Sequence, residues 1–330
     1  MIVNLSEPVY SYDKLISDAG ALAERFHTLV QYVTIGRSHD NRDILLLKLG
    51  NGRKHILFCA GVHGRESINT IVLMKLIEYY AELYVNYQDN RQNTSQDKRD
   101  GLLYTGNHLS PLPLGEQYKQ NIFEKCVYEL LNTFTILFLP LLNPDGYMIA
   151  MTGFQSIRDG TIREAAEGKG TGYESWKYNA RGIDINRNFP SKLWKPKEPG
   201  DYAASENETK ALIYVFHHYR IKGFIDLHSR GNEIYYYRST MSQIYNDRQL
   251  RIATRLKEIT GYGLVPPEEE VDPGDSGGNT VHYFSEHFYQ LALTIETVEE
   301  EADFPLDNHC RQIVFDDLKL VVFELGSLII

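Results

Sequence analysis

Apolar positions along this chain follow two rhythms. One is the short unbroken run. His55-Ile56-Leu57-Phe58-Cys59-Ala60, Thr135 to Leu142, Gly223 to Leu227 and Leu291 to Glu296 each read as a strand buried on both faces. Val30 to Ile35, Ile44 to Lys48 and Glu233 to Arg238 read as further strands. The other rhythm repeats every three or four residues. It predicts helices over Tyr12 to Thr28 with Ser11 as cap, Ile68 to Tyr87, Ile122 to Phe134, Ser205 to Tyr219, Gln243 to Thr260 and Asn308 to Ile330. Ser205 followed by Glu208 forms a capping-box pattern, and Gly261 closes the helix before it. Asn51-Gly52 marks a hairpin turn, and Asn143-Pro144-Asp145-Gly146 a second turn. Strands alternate with helices throughout, which predicts an α/β fold: one mixed, mostly parallel twisted sheet with helices on both faces. No internal repeat and no linker interrupts the pattern, so residues 1–330 read as a single domain.

Three stretches break the rhythm. Gln88 to Gln120 is long, polar and aperiodic, as surface excursions or lids are. Met151 to Gly182 is glycine-rich and reads as a loop over a site, and Pro266 to Gly278 is an acidic Pro/Gly-rich loop.

Composition narrows the function classes. The formal net charge of −10 argues against nucleic-acid binding, which needs a basic face. The acidic groups Glu268 to Asp272 and Glu299 to Glu301 read as a solvated face, with steering of amine-bearing substrates as the alternative. Cys59, Cys126 and Cys310 are widely spaced and sit in apolar segments, so they are small buried hydrophobes and neither a disulfide framework nor a zinc site. No stretch is a membrane span, and the N-terminus lacks a basic and then apolar leader, from which a cytoplasmic location is expected.

The candidate chemistry starts at Gly61-Val62-His63-Gly64-Arg65-Glu66-Ser67, on a strand-to-helix turn. Open α/β sheets place ligands at such carboxyl ends of strands. An imidazole and a carboxylate three residues apart can reach one metal ion, and a catalytic zinc takes three protein ligands plus an open position. His228 ends the strand Phe224-Ile225-Asp226-Leu227 and is the candidate third ligand.

With these residues in place, the chain resembles the zinc carboxypeptidases of the carboxypeptidase A-like family, peptidase family M14. The matching elements run in the family's order. Gly61 to Glu66 is followed by Asn143-Pro144-Asp145-Gly146-Tyr147 and by Gly182-Ile183-Asp184-Ile185-Asn186-Arg187-Asn188-Phe189. Then come Asp226-Leu227-His228-Ser229, Ser276-Gly277-Gly278 and Leu293-Thr294-Ile295-Glu296-Thr297. The resemblance implies one zinc ion on His63, Glu66 and His228, oriented through Asp184 on the first histidine. It implies Glu296 as catalytic acid and base, Asn186 and Arg187 as the grip on a peptide's free C-terminal carboxylate, and Arg65 as an arginine near the metal that polarises a carbonyl or contacts a substrate carboxylate. The family's oxyanion arginine has no single match here. Trp176 is followed by Lys177, with Arg181 four further on, and either supplies a positive charge. The closing tyrosine of the pancreatic-type enzymes is replaced by Pro273, and Thr280 stands near the position that sets side-chain preference.

The expected activity is therefore release of a C-terminal residue by zinc-activated water with a glutamate base. Two alternatives stay open: cleavage of γ-D-glutamyl bonds to diamino acids in cell-wall peptides by the same chemistry, and a catalytically silent peptide-binding protein. The partner is a peptide or cell-wall-peptide substrate, and oligomeric state is not legible.

Overall fold

The computed structural model describes residues 1–97, 116–271, 275 and 277–329. The loop read over Gln88 to Gln120 thus lies partly outside the described residues, as do Pro273 and Ser276. Strands β1 (Val30–Arg37), β2 (Asp43–Leu49), β3 (Lys54–Cys59), β4 (Phe134–Leu139), β5 (Ile221–Ser229), β6 (Glu233–Tyr235), β7 (Gly263–Leu264) and β8 (Leu291–Thr297) form one sheet in the order β1-β2-β4-β3-β5-β8-β6-β7. The centre, β4-β3-β5-β8, is parallel throughout, and β1, β2 and β6 add antiparallel neighbours. The expected mixed, mostly parallel architecture is the one observed.

The central strands are apolar on both faces because both faces are covered. In β3, Ile56 and Phe58 join the larger core while Leu57 and Cys59 join a second one. In β4, Ile136 and Phe138 alternate with Leu137 and Leu139 in the same way. Helices α1 (Tyr12–Arg25), α2 (Ile68–Asp97), α3 (Glu116–Thr133), α7 (Gln243–Thr260), α9 (Cys310–Leu318) and α10 (Val321–Ile329) supply the first core, and α6 (Asn207–His218) and α8 (Thr280–Phe288) the second. Short helices α4 (Pro144–Thr152) and α5 (Gly160–Glu167) lie in the segment between β4 and α6.

Several expectations shift. Ser11 caps α1 by accepting the Lys14 N–H at 3.2 Å, as read. Asn143-Pro144 is the start of α4 instead of an isolated turn: Asn143 caps it by accepting the Gly146 N–H, with Pro144 in the first turn. Residue 206, not Ser205, occupies the cap position of α6. The closing helix is two helices, α9 and α10. Helix α8 was not anticipated; its Val281, Tyr283 and Phe284 favour strands in isolation, and packing on β8 and β5 decides otherwise. No helix among the described residues is long and apolar enough to cross a membrane.

Candidate metal centre

The chain turns at the carboxyl end of β3, and the next residues enter a crowded place. A Cβ on Gly64 would lie 2.2 Å from the Gly146 carbonyl oxygen, so this position has room only for glycine. The turn presents His63 and Glu66 beside β5, whose end carries His228. His63 Nδ1 lies 2.7 Å from Glu66 Oε1, and His228 Nδ1 lies 3.0 Å from Glu66 Oε2. The two Nδ1 atoms are 3.3 Å apart. Sequence-distant groups are thereby brought within 4.8 Å of one another.

Each imidazole is held from behind by a carboxylate. His63 Nε2 is 3.2 Å from Asp184 Oδ1, and His228 Nε2 is 3.0 Å from Asp226 Oδ2. With the outer N–H donated to a carboxylate, the inner nitrogen of each ring is a bare lone pair. Two lone pairs and a carboxylate then converge, and the Ser229 N–H donates to Glu66 Oε2 at 3.2 Å from the edge of the cluster. That arrangement suits a divalent cation, and three N/O ligands suit zinc. Protons compete for the same place. Burial opposes charge on both imidazoles, yet Glu66, Asp184 and Asp226 hold them above the ordinary imidazole range. The two histidines in turn hold the buried Glu66 carboxylate well below its usual range.

Glu296 sits on β8, paired in register with His228 on β5. Burial pushes its carboxyl up to about 8, with the Glu66 and Asp226 charges adding to the effect against the two imidazoles. His63, Glu296, Asn186 and Arg187 line one cavity of about 180 Å³. A larger cavity of about 600 Å³ opens beyond Asp184 and Arg187, but none of His63, Glu66, His228 or Glu296 lines it. The smaller cavity is therefore the candidate site.

The remaining expected residues fall into place unevenly. Asn186 Oδ1 accepts the Thr280 N–H, and Arg187 Nε meets Asp275 at 2.5 Å. Lys177 Nζ is 2.8 Å from Asp184 Oδ2, which ties it to the support of His63. Arg181 instead pairs with Glu206 and lines the larger cavity. Arg65 stacks on the Phe304 ring at 4.4 Å and does not line the site cavity. Thr280 corrects its expectation as a substrate contact. Its side chain is buried, and its hydroxyl donates to Asp226, so it steadies the carboxylate behind His228.

Asp226, Asp275 and Arg238 were not singled out from the sequence. Asp226 left a signal, because residues two apart on a strand share a face, so it had to lie beside His228. Asp275 and Arg238 reach the cavity from loops, and no spacing announces them.

A second buried cluster, His39, Glu206 and Glu208, also brings its ligand atoms within 4.8 Å. Here the Asn179 amide already donates to Glu206 Oε2 at 2.7 Å and Glu208 Oε2 at 3.3 Å. Asn179 Oδ1 accepts the Arg181 and Ile183 N–H groups, which locks that amide in place.

Comparison with known proteins bears on the family and the fold. The sequence profile described as zinc carboxypeptidase, Peptidase_M14, matches residues 15–100 and 116–288, stopping short of Glu296. The chain is 24% identical over 242 residues to γ-D-glutamyl-L-diamino acid endopeptidase 1 of Lysinibacillus sphaericus, covering 69% of this chain and 52% of that protein. It is 24% identical over 273 residues to carboxypeptidase A2 of Rattus norvegicus, covering 77% of this chain and 54% of that one. The chain thus spans about half the length of these two relatives. Among solved structures, thrombin-activatable fibrinolysis inhibitor superposes with a TM-score of 0.69 at 18% identity, covering 100% of this chain and 77% of that one. Carboxypeptidase A of Helicoverpa armigera gives 0.64 at 16%, covering 97% and 74%. Likeness at these identities speaks to the fold, and the profile match over most of the residues speaks to descent: the chain belongs to the zinc carboxypeptidase family, peptidase M14.

Proposed function

We propose that this protein is a zinc metallopeptidase that releases the C-terminal residue of a peptide. The observation that carries the reading is the shared cavity: His63, Glu296, Asn186 and Arg187 face one space. His63, Glu66 and His228 would hold the zinc. Bound there, zinc would polarise the scissile carbonyl and acidify a water molecule. Glu296 takes the proton of the attacking water and delivers it to the leaving amine. A carboxyl beside the metal can both accept and return a proton. Asn186 and Arg187 hold the substrate's terminal carboxylate, the arginine by its planar fork. Of the two candidate cations, Lys177 pairs with Asp184 behind His63 and Arg181 pairs with Glu206, and neither lines the site cavity.

The test uses the zinc-loaded protein. E296Q is expected to keep its zinc and lose about 10²–10⁴-fold in rate. An unchanged rate overturns the role of Glu296. Matched peptides with free and amidated C-termini test the grip: cleavage of the free acids alone supports Asn186 and Arg187, and indifference to amidation overturns them.

A second reading, cleavage of γ-D-glutamyl bonds to a diamino acid in cell-wall peptides, is favoured by Asp275. An acid at 2.5 Å from Arg187 puts both charges at the place where the released group binds. That suits a group carrying both an amine and a carboxylate. The likeness to the Lysinibacillus endopeptidase supports the same direction.

A further inference from the structure

The site cavity has a second cation besides Arg187, and one of its N–H groups has no partner. Arg238 lines the cavity and is only 1% exposed. Its Nη1 donates to the Tyr237 carbonyl, and Nη2 to the carbonyls of Ala292 at 3.2 Å and Tyr235 at 3.5 Å. Those bonds fix the guanidinium plane and leave Nε without a partner. Among the described residues no carboxylate forms an ion pair with it. The nearby acid Glu270 bonds His282 Nε2 at 2.8 Å and the Ser239 N–H at 2.8 Å, and it acts on Arg238 only through space. A buried donor left without a partner is costly, and that Nε–H is what a bound carboxylate would satisfy.

Its depth follows from β8. Glu296, Thr294 and Ala292 lie on alternate positions of that strand, and each step of two residues is about 7 Å. Glu296 and Thr294 line the cavity, while Arg238 is bound to the Ala292 carbonyl. The guanidinium therefore reaches the cavity from farther along β8 than Glu296 and Thr294. Arg187 stands nearer the mouth with Asp275 beside it, where the α-carboxylate binds in the reading above.

We propose that Arg238 is a specificity residue that receives a carboxylate on the side chain of the released residue, so that the enzyme prefers C-terminal residues with acidic side chains. The inference rests on the peptidase reading and deepens it. Two sources share the required chemistry: glutamate, and a diamino dicarboxylic acid whose far end carries a carboxylate beside an amine.

The experiment compares kcat/KM of the zinc-loaded protein on peptides that differ only in the last residue: glutamate, its neutral isostere glutamine, lysine, phenylalanine and meso-diaminopimelate. Glutamate is expected to exceed glutamine by about 10–100-fold, since a charge-assisted bond is lost and a buried donor left unpaired. Faster release of diaminopimelate than of glutamate assigns the amine a share in recognition and still requires the carboxylate at Arg238. In R238M the glutamate-to-glutamine ratio is expected to fall toward one, with R238K restoring part of it and zinc content unchanged. If R238M does not fold, the wild-type panel decides. Glutamine, lysine or phenylalanine released as fast as glutamate overturns the role of Arg238 while leaving the peptidase intact. Release of no residue from any peptide overturns the peptidase reading, and this inference with it.

Discussion

The cluster of His63, Glu66 and His228 and the cluster of His39, Glu206 and Glu208 are built from the same residue types, with ligand atoms gathered within the same 4.8 Å. They differ in what stands among those atoms. Behind the first cluster are acceptors, Asp184 and Asp226, which turn lone pairs inward. Into the second point donors: the locked Asn179 amide, the Ser205 hydroxyl and the Arg181 guanidinium. The first is an acceptor set met by a single backbone donor, the Ser229 N–H on Glu66, and the second has a protein cation and side-chain donors among its oxygens already. Ligand type and spread do not define a metal centre; the balance of donors around it does.

Three experiments press on this difference. The largest effect belongs to the first cluster. H63A is expected to lose stoichiometric zinc and at least about three orders of magnitude in peptidase rate, whereas H39A keeps one zinc per chain. Zinc content by atomic emission reads this directly, and loss of zinc from H39A would erase the distinction. Next is N179A, which removes the amide donor shared by two buried carboxyl groups. We expect about 1–3 kcal/mol of lost stability by chemical denaturation, with zinc affinity unchanged; a variant that instead gains a second zinc would show that the amide had been standing in a usable metal site. The smallest concerns pH. Burial pushes the Glu208 carboxyl up to about 7 from 4.5, with the Asp145 charge adding. A folded-state value above the unfolded one means that the fold disfavours the ionised form. Its cost is absent below about pH 4.5, grows as pH rises, and is fully present above 7. E208Q removes this cost, so the stability lost between pH 5 and pH 8 is expected to be smaller in E208Q than in wild type by roughly 2–3 kcal/mol. Equal losses in the two proteins would place the strain elsewhere.

The legibility of the chain follows the same division between local and distant. The α/β alternation was readable because β3, β4, β5 and β8 are apolar runs between amphipathic segments. His63 and Glu66 were readable because three residues on one turn carry them, and His228 because it ends a buried strand. What escaped depends on partners remote in sequence. Arg187 meets Asp275 across 88 residues, and Arg238 reaches the Ala292 carbonyl across 54. Thr280 looked like a small neutral lining residue; only the folded neighbourhood turns its hydroxyl onto Asp226. Asn143-Pro144 was misread because residues that make a turn also begin a helix, and the following apolar stretch had to be packed to decide between them.

The position of β5 between β3 and β8 also sets a timetable. His63 and Glu66 leave the ribosome long before His228, and Glu296 later still. Each parallel neighbour joins only after a long crossover, so the central pairings are non-local and slow to close. Two donors on an unfinished turn hold a metal weakly, and the carboxylates that orient the imidazoles arrive from elsewhere in the chain. If the proposed ligands hold the metal, zinc affinity waits on the pairing of β3 with β5 and is absent from any fragment that ends before His228.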